Sequence, residues 1–497
     1  MTSGDASISV DKGILVGAIN DGVLSCLGVP YAAAPVGPLR FRSPVAHPGW
    51  DKPLRATSFA SQAVQTPLNP NSPLADPGSE DCLYLNVWAP VEDGPHPVMF
   101  WVHGGAFVSG SADQCDGTAL AQAGLVVVAP NYRLGPFGYL YLEEVAPGAS
   151  DTNLAIRDLA CALDWTLRNI VTFGGDPTRI ALAGQSSGAM TVGSLMTSPL
   201  VRGKFTAAWM MSGAARQVRT KTMATESAEM FLAATGVPDV TASDIVTMPT
   251  ETLVKASGAL AQFSQVDDRF DAEVLLPVVG DDVLPDHPMT AIRRGDLADV
   301  ELVVTWALAD MELFRIFDAE AGGRNKELFA RRLIGDDKWD ELLRIYEATG
   351  PSAYSDLLTD FHFSVPARRL AEAQIAGGGR SWVGRFDRAP ITPPWPSYGP
   401  VHTCDLFYLF TPLRPPSEPF SEVGPGIGML DEDRSLAEHT RRLMKCVAQG
   451  EARLDQCGWP LYDGDYRRTL LFDEPLEVAL DPDKVRRRAW EGLLEEF

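Results

Sequence analysis

Short apolar blocks alternate along this chain with longer stretches in which leucine and alanine recur at helical spacing. Residues 86–88, 98–102, 125–129, 180–183, 302–305 and 383–386 are compact, largely apolar runs and read as buried strands. Leu159, Leu163, Leu167 and Ile170 share one helical face, and that pattern ends near Gly174-Gly175. Residues 189–196, about 221–261 and about 324–377 also read as helical. The first ~30 residues alternate apolar runs with turns such as Asn20-Asp21-Gly22, a hairpin signal. Strands and helices in alternation predict an α/β protein with a central, mostly parallel, mixed sheet flanked by helices. No proline-rich or polar linker divides the chain, so residues 1–497 read as one domain with helical insertions.

The strand at 180–183 runs into Gly184-Gln185-Ser186-Ser187-Gly188, and the helix at 189–196 follows directly. This is a G-x-S-x-G strand-to-helix turn. It needs small residues on both sides because the backbone is crowded, and it lifts a serine hydroxyl out of the sheet. Upstream, the strand at 98–102 runs into His103-Gly104-Gly105-Ala106-Phe107. Glycines there free successive backbone N–H groups from a ladder, the geometry an oxyanion hole needs. Donors from Gly105, Ala106 and Ser187 converge on one oxygen in this reading.

With these motifs the sequence resembles the type-B carboxylesterases. That α/β-hydrolase group includes carboxylesterases, cholinesterases and bacterial p-nitrobenzyl esterases. The resemblance is carried by Gly28-Val29-Pro30-Tyr31-Ala32 with Arg40-Phe41, and by Glu80-Asp81-Cys82-Leu83-Tyr84-Leu85-Asn86-Val87. It continues through Asn131-Tyr132-Arg133-Leu134-Gly135-Pro136-Phe137-Gly138, Phe173-Gly174-Gly175-Asp176-Pro177 and Trp459-Pro460-Leu461-Tyr462. It implies an α/β-hydrolase fold with helical insertions over the active site. It also implies a bacterial serine carboxylesterase working through an acyl-enzyme.

A serine nucleophile needs a base and an acid that orients it, in the chain order Ser, acid, His for this fold. Four histidines follow Ser186: His287, His362, His402 and His439. His402, in Gly399-Pro400-Val401-His402-Thr403-Cys404-Asp405-Leu406, resembles the family's catalytic stretch; His362 and His439 lie in helical, polar contexts. Aligning Met311 and Leu313-Phe314 on bacterial relatives puts Asp310 at the acid, where glutamate is usual; Glu312 is the rival. Gln185 stands where cholinesterases carry glutamate, which weakens a choline-ester reading. Phe107, Gln185, Met211, Trp306 and Phe314 are candidate substrate-pocket residues. Arg40 with Glu80, and Arg133 with Asp158, resemble ion pairs that brace the family's core. Ser212 matches a serine behind the triad, either a hydrogen-bond donor to it or simply buried.

Composition narrows the partners. Lys and Arg total 42 against 65 Asp and Glu, a net charge of −23, so nucleic acid is not expected. No apolar stretch is long enough to cross a membrane. Sparse histidines, without His-x-x-x-His or Cys-x-x-Cys, suggest no metal, and no G-x-G-x-x-G or Walker sequence suggests a cofactor. A small-molecule ester and a monomer are the expectation. The N-terminus lacks a basic segment and an apolar core, so it does not read as a secretory signal. The seven cysteines have no regular spacing. Secreted relatives pair the cysteine matching Cys82 with an earlier one that is missing here. The expectation is therefore seven free thiols, Cys82 buried among them, in a cytoplasmic enzyme.

Overall fold

The computed structural model describes residues 4–66, 76–238, 240–264, 267–270, 274–317, 324–389, 398–410, 431–450 and 453–494. A thirteen-stranded sheet organises them. Its strands are β1 (Gly4–Val10), β2 (Gly13–Asn20), β3 (Val23–Pro30), β4 (Leu54–Arg55), β5 (Tyr84–Pro90), β6 (His96–Val102) and β7 (Val126–Pro130). They continue as β8 (Gly175–Gln185), β9 (Ala207–Met211), β10 (Glu301–Ala307), β11 (Arg380–Phe386), β12 (Arg468–Phe472) and β13 (Glu477–Leu480). The order is β1-β2-β3-β5-β7-β6-β8-β9-β10-β11-β12-β13, with β4 beside β2.

From β7 to β12 every pairing is parallel; the pairs β1/β2, β2/β3, β3/β5, β5/β7 and β12/β13 are antiparallel. This is the mixed, mostly parallel sheet that the apolar blocks predict. The parallel strands are continuous apolar runs because helices cover both faces. The β2/β3 hairpin turns on Asp21 and Gly22, both at positive φ (48° and 78°), as a tight two-residue turn requires.

Two apolar layers result. One holds the helix Leu154–Asn169, the elbow helix Ser187–Thr197 and the helix Val365–Ala376; the other holds the helix Asp431–Gln449. Both expected ion pairs are present and buried. Arg133 binds Asp158 at 2.6 Å, and Arg40 binds Glu80 at 2.7 Å.

The cysteines correct one expectation. Cys82 is a buried free thiol, as are Cys26, Cys115 and Cys404, with Cys161 half-buried; but Cys446 and Cys457 form a disulfide. The helix Asp431–Gln449 and the short helix Arg453–Gln456 turn back on each other, so cysteines 11 apart in sequence meet. The expectation of seven free thiols therefore fails at this pair, while the unpaired Cys82 stands as expected.

Candidate active site

The parts of the site gather at the carboxyl ends of the parallel strands, where open α/β sheets place ligands. Ser186 follows β8 directly, with φ 58° and ψ −132°, a conformation that a non-glycine residue rarely adopts. Its neighbours hold it there. The Ser186 N–H donates to the Met211 carbonyl of β9 at 2.9 Å, and its carbonyl accepts from Met190 N at 3.0 Å. The glycines of the motif are dictated by contact. A Cβ on Gly188 would fall 2.2 Å from the Val102 carbonyl oxygen, and one on Gly184 would fall 2.7 Å from the Gly188 carbonyl carbon. Gly104 is as confined, its would-be Cβ lying 2.7 Å from the Gln185 carbonyl oxygen and 3.0 Å from Ser186 Cβ.

Asp310 lies three residues beyond β10 and is fully buried. Its two oxygens have separate tasks. Oδ2 accepts from the Ala307 N–H at 2.8 Å and from Ser212 Oγ at 3.1 Å, and Oδ1 accepts from His402 Nδ1 at 2.6 Å. Ser212, itself at φ 45°, is thus a hydrogen-bond donor to the acid. Glu312 is elsewhere: it begins the helix Glu312–Phe317 and pairs with Arg315 at 3.2 Å on a partly exposed face.

With its Nδ1 proton given to Asp310, His402 keeps a lone pair on Nε2. Gln185 Nε2 lies 3.3 Å from that atom, both groups being buried. The loop bearing His402 is itself stitched to the loop bearing Asp310, because the Ala309 N–H donates to the Pro400 carbonyl at 3.0 Å. His287 instead caps the helix Pro288–Arg293. His362 is helical and has a polar partner, as its sequence context suggests. It is buried in a π-helical turn, Asp360–Ser364, with Nδ1 3.3 Å from Arg216 Nη2.

Gly105, Ala106 and Phe107 have successive positive φ values of 123°, 53° and 64°. The Gly105 carbonyl accepts from the Val108 and Ser109 N–H groups, which curls the chain around its own amides. Among the described residues, the N–H groups of Gly105, Ala106 and Ser187 are not committed to a protein acceptor. Ser187 opens the helix Ser187–Thr197, so its N–H has no partner within the helix. His103 buttresses this turn. Its Nδ1 donates to the Gly104 carbonyl at 2.9 Å, its ring stacks on Tyr132, and burial lowers its pKa to about 4.

The candidate pocket residues divide. Phe314 stacks on His402 with ring centres 5.1 Å apart, and Gln185 meets the same imidazole. Phe107 is buried against Tyr139 beside the glycine turn. Met211 serves through its carbonyl, while its side chain packs in the second apolar layer. Trp306 lies under the guanidinium of Arg368, which pairs with Asp483. Strand alternation along β10 sends that ring into the first apolar layer, with the helix Val365–Ala376, while Ala307 faces the second. Phe363, absent from the sequence reading, packs on His402 with ring centres 5.0 Å apart. It stands on the π-helical turn, and no sequence signal marks such a turn.

Among the described residues, no group of three or more His, Cys, Asp or Glu could hold a metal ion, and no helix is long and apolar enough to cross a membrane.

Comparison with known proteins gives the family. A family model described as the carboxylesterase family matches residues 4–477. The para-nitrobenzyl esterase of Bacillus subtilis (strain 168) is 31% identical over 489 residues, covering 97% of both chains. The phenmedipham hydrolase of Pseudarthrobacter oxydans is 30% identical over 508 aligned positions, covering 96% of this chain and 97% of that one. The solved structure of a PNB esterase matches with a TM-score of 0.83 at 29% identity, over 97% of this chain and 99% of that one.

Proposed function

From the premise that this chain belongs to the carboxylesterase family, with its α/β-hydrolase fold and carboxylic ester hydrolase activity, we propose that Ser186 is the nucleophile, His402 the general base and Asp310 the orienting acid. The observation that carries the reading is the 2.6 Å bond from His402 Nδ1 to a buried Asp310, with the other imidazole nitrogen 3.3 Å from Gln185, the residue before a serine held in strained backbone at the end of β8.

An ester carbonyl entering beside Ser186 displaces the Gln185 amide from His402 Nε2, and Ser186 Oγ takes its place. Oγ attacks the carbonyl carbon as Nε2 removes its proton, giving a tetrahedral oxyanion and an imidazolium. Asp310 stays ionised and stabilises that imidazolium. The N–H groups of Gly105, Ala106 and Ser187 hold the oxyanion; one such donor supplies roughly 2.7–4 kcal/mol elsewhere. The C–O bond to the alcohol then breaks and Nε2–H protonates the leaving oxygen. Water, deprotonated by His402, attacks the acyl-Ser186 ester and releases the acid with Ser186 restored. Phe314 and Phe363, both packed against His402, favour an apolar group beside the imidazole.

A fluorophosphonate probe is expected to label Ser186. Ser186→Ala is expected to stay folded and lose several orders of magnitude in kcat on p-nitrophenyl acetate. Normal turnover by that variant would remove the mechanism.

A further inference from the structure

One buried ionisable group beside the triad has no part in these steps. Asp405 follows His402 by three residues, on the turn that enters the short helix Leu406–Leu409. It is 1% exposed, and among the described residues neither carboxyl oxygen finds a hydrogen-bond partner of good geometry. The backbone amides of Asp405 and Leu406 lie near enough to act on it, but the Leu406 N–H is committed to the Thr403 carbonyl at 3.1 Å. The charge that reaches Asp405 is another carboxylate, Asp310; among the described residues no Lys, Arg or His is a counter-charge to it. The other titratable groups at this place are His402 and Cys404 on its own turn and, across Cys404, Asp387 beyond β11.

A buried carboxylate that no side chain serves, with only its own and the next backbone amide near it and an anion for a neighbour, is costly to keep charged, and the group keeps its proton instead. Burial first, then repulsion from Asp310, push its pKa up to about 8. Asp310, by contrast, is well supplied with donors. Two donors fix its outer oxygen and the imidazole takes the inner one.

We propose that Asp405 is a positioning residue of the triad, carried as a neutral carboxylic acid behind Asp310 so that Asp310 is the one anion His402 meets. Its short side chain and the turn it shares with His402 tie the two together. When Asp405 loses its proton, a second negative charge arises in a buried site where, among the described residues, no side chain donates to it. It repels Asp310 and displaces the turn that carries the imidazole, so activity falls as pH rises. The inference rests on the triad proposed above. The two fail separately: Ser186→Ala tests the triad, and Asp405→Asn leaves the triad's own groups in place.

The test is kcat/KM against pH on p-nitrophenyl acetate, for the wild type and for Asp405→Asn. The amide has the shape of the neutral acid but cannot ionise. The wild type is expected to lose activity on the alkaline side with a midpoint near pH 8. The variant is expected to keep its neutral-pH rate within about threefold and to show no such loss up to about pH 9.5. An unchanged alkaline limb in the variant would overturn the proposal. So would a wild type that stays flat to that pH, or a fully folded variant inactive at neutral pH. If Asp405→Asn does not fold, infrared difference spectra of the wild type decide: the protonated-carboxyl band must vanish through the same pH range, and its absence at neutral pH refutes the neutral acid.

Discussion

Replacing Asp310 by asparagine tests the acid most severely, because the environment dictates how the amide must lie. Two donors, the Ala307 N–H and the Ser212 hydroxyl, converge on Oδ2. An asparagine satisfies them by placing its carbonyl oxygen there, which turns its NH2 toward His402 Nδ1. That nitrogen must then accept, so the imidazole proton moves to Nε2, the atom that has to take the Ser186 proton. The variant loses both the charge that stabilises the imidazolium and the tautomer that acts as base. The expected loss in kcat is roughly 10⁴-fold, about 5.4 kcal/mol of activation free energy. Because the carbonyl oxygen still satisfies both donors, the fold is retained. Glu312→Gln is the control: among the described residues its half-exposed carboxylate pairs with Arg315, a surface contact worth about 0–1 kcal/mol that does not reach the imidazole. Rates on p-nitrophenyl acetate, with circular dichroism and melting curves for both variants, decide the matter. A nearly normal Asp310→Asn beside a crippled Glu312→Gln would refute the assignment and place the acid two residues later.

Ser212→Ala removes one of the three hydrogen bonds to Asp310, and a bond to a charged group contributes about 1.5–3 kcal/mol, so kcat/KM is expected to fall about tenfold. A rate within twofold of the wild type, roughly 0.4 kcal/mol, would show that Ser212 is merely buried there. Thiol titration of denatured, unreduced protein is expected to find five free cysteines and, after reduction, all seven; seven before reduction would remove the Cys446–Cys457 bond.

The core strands were legible because a strand covered on both faces is a short unbroken apolar run. β9 went unread: Ala207-Ala208-Trp209-Met210-Met211 has no β-branched residue. β12 and β13 went unread too, since their ends are polar and β13 is largely exposed. The elbow was legible for a stricter reason. Contacts as short as 2.2 Å to backbone leave no room for a side chain at Gly188. Asp310 needed an alignment, because nothing local separates it from Glu312; the distinction is made by Ala307, Ser212 and His402, which only folding brings together. Trp306 reads as a pocket candidate because it is an aromatic near the acid; its place on β10 buries it in the first apolar layer under Arg368, a contact the sequence does not show. The disulfide and Phe363 depend on how helices turn back on the sheet, which residue spacing does not encode.

The turn that carries Phe363 has a consequence for how this enzyme family member changes over generations. A π-helical turn is a helix holding one residue more than α geometry accommodates. Deleting a single residue within Asp360–Ser364 would restore a regular helix and rotate one side against the other by about 100°, the angle between successive residues of an α-helix. The ring that faces His402 would be exchanged for a neighbour, while Ser186, Asp310 and the glycine turn, built on other strands, stayed where they are. Loss of one codon is thus a short evolutionary step to a differently shaped substrate wall, open to a lineage whose chemistry is already fixed.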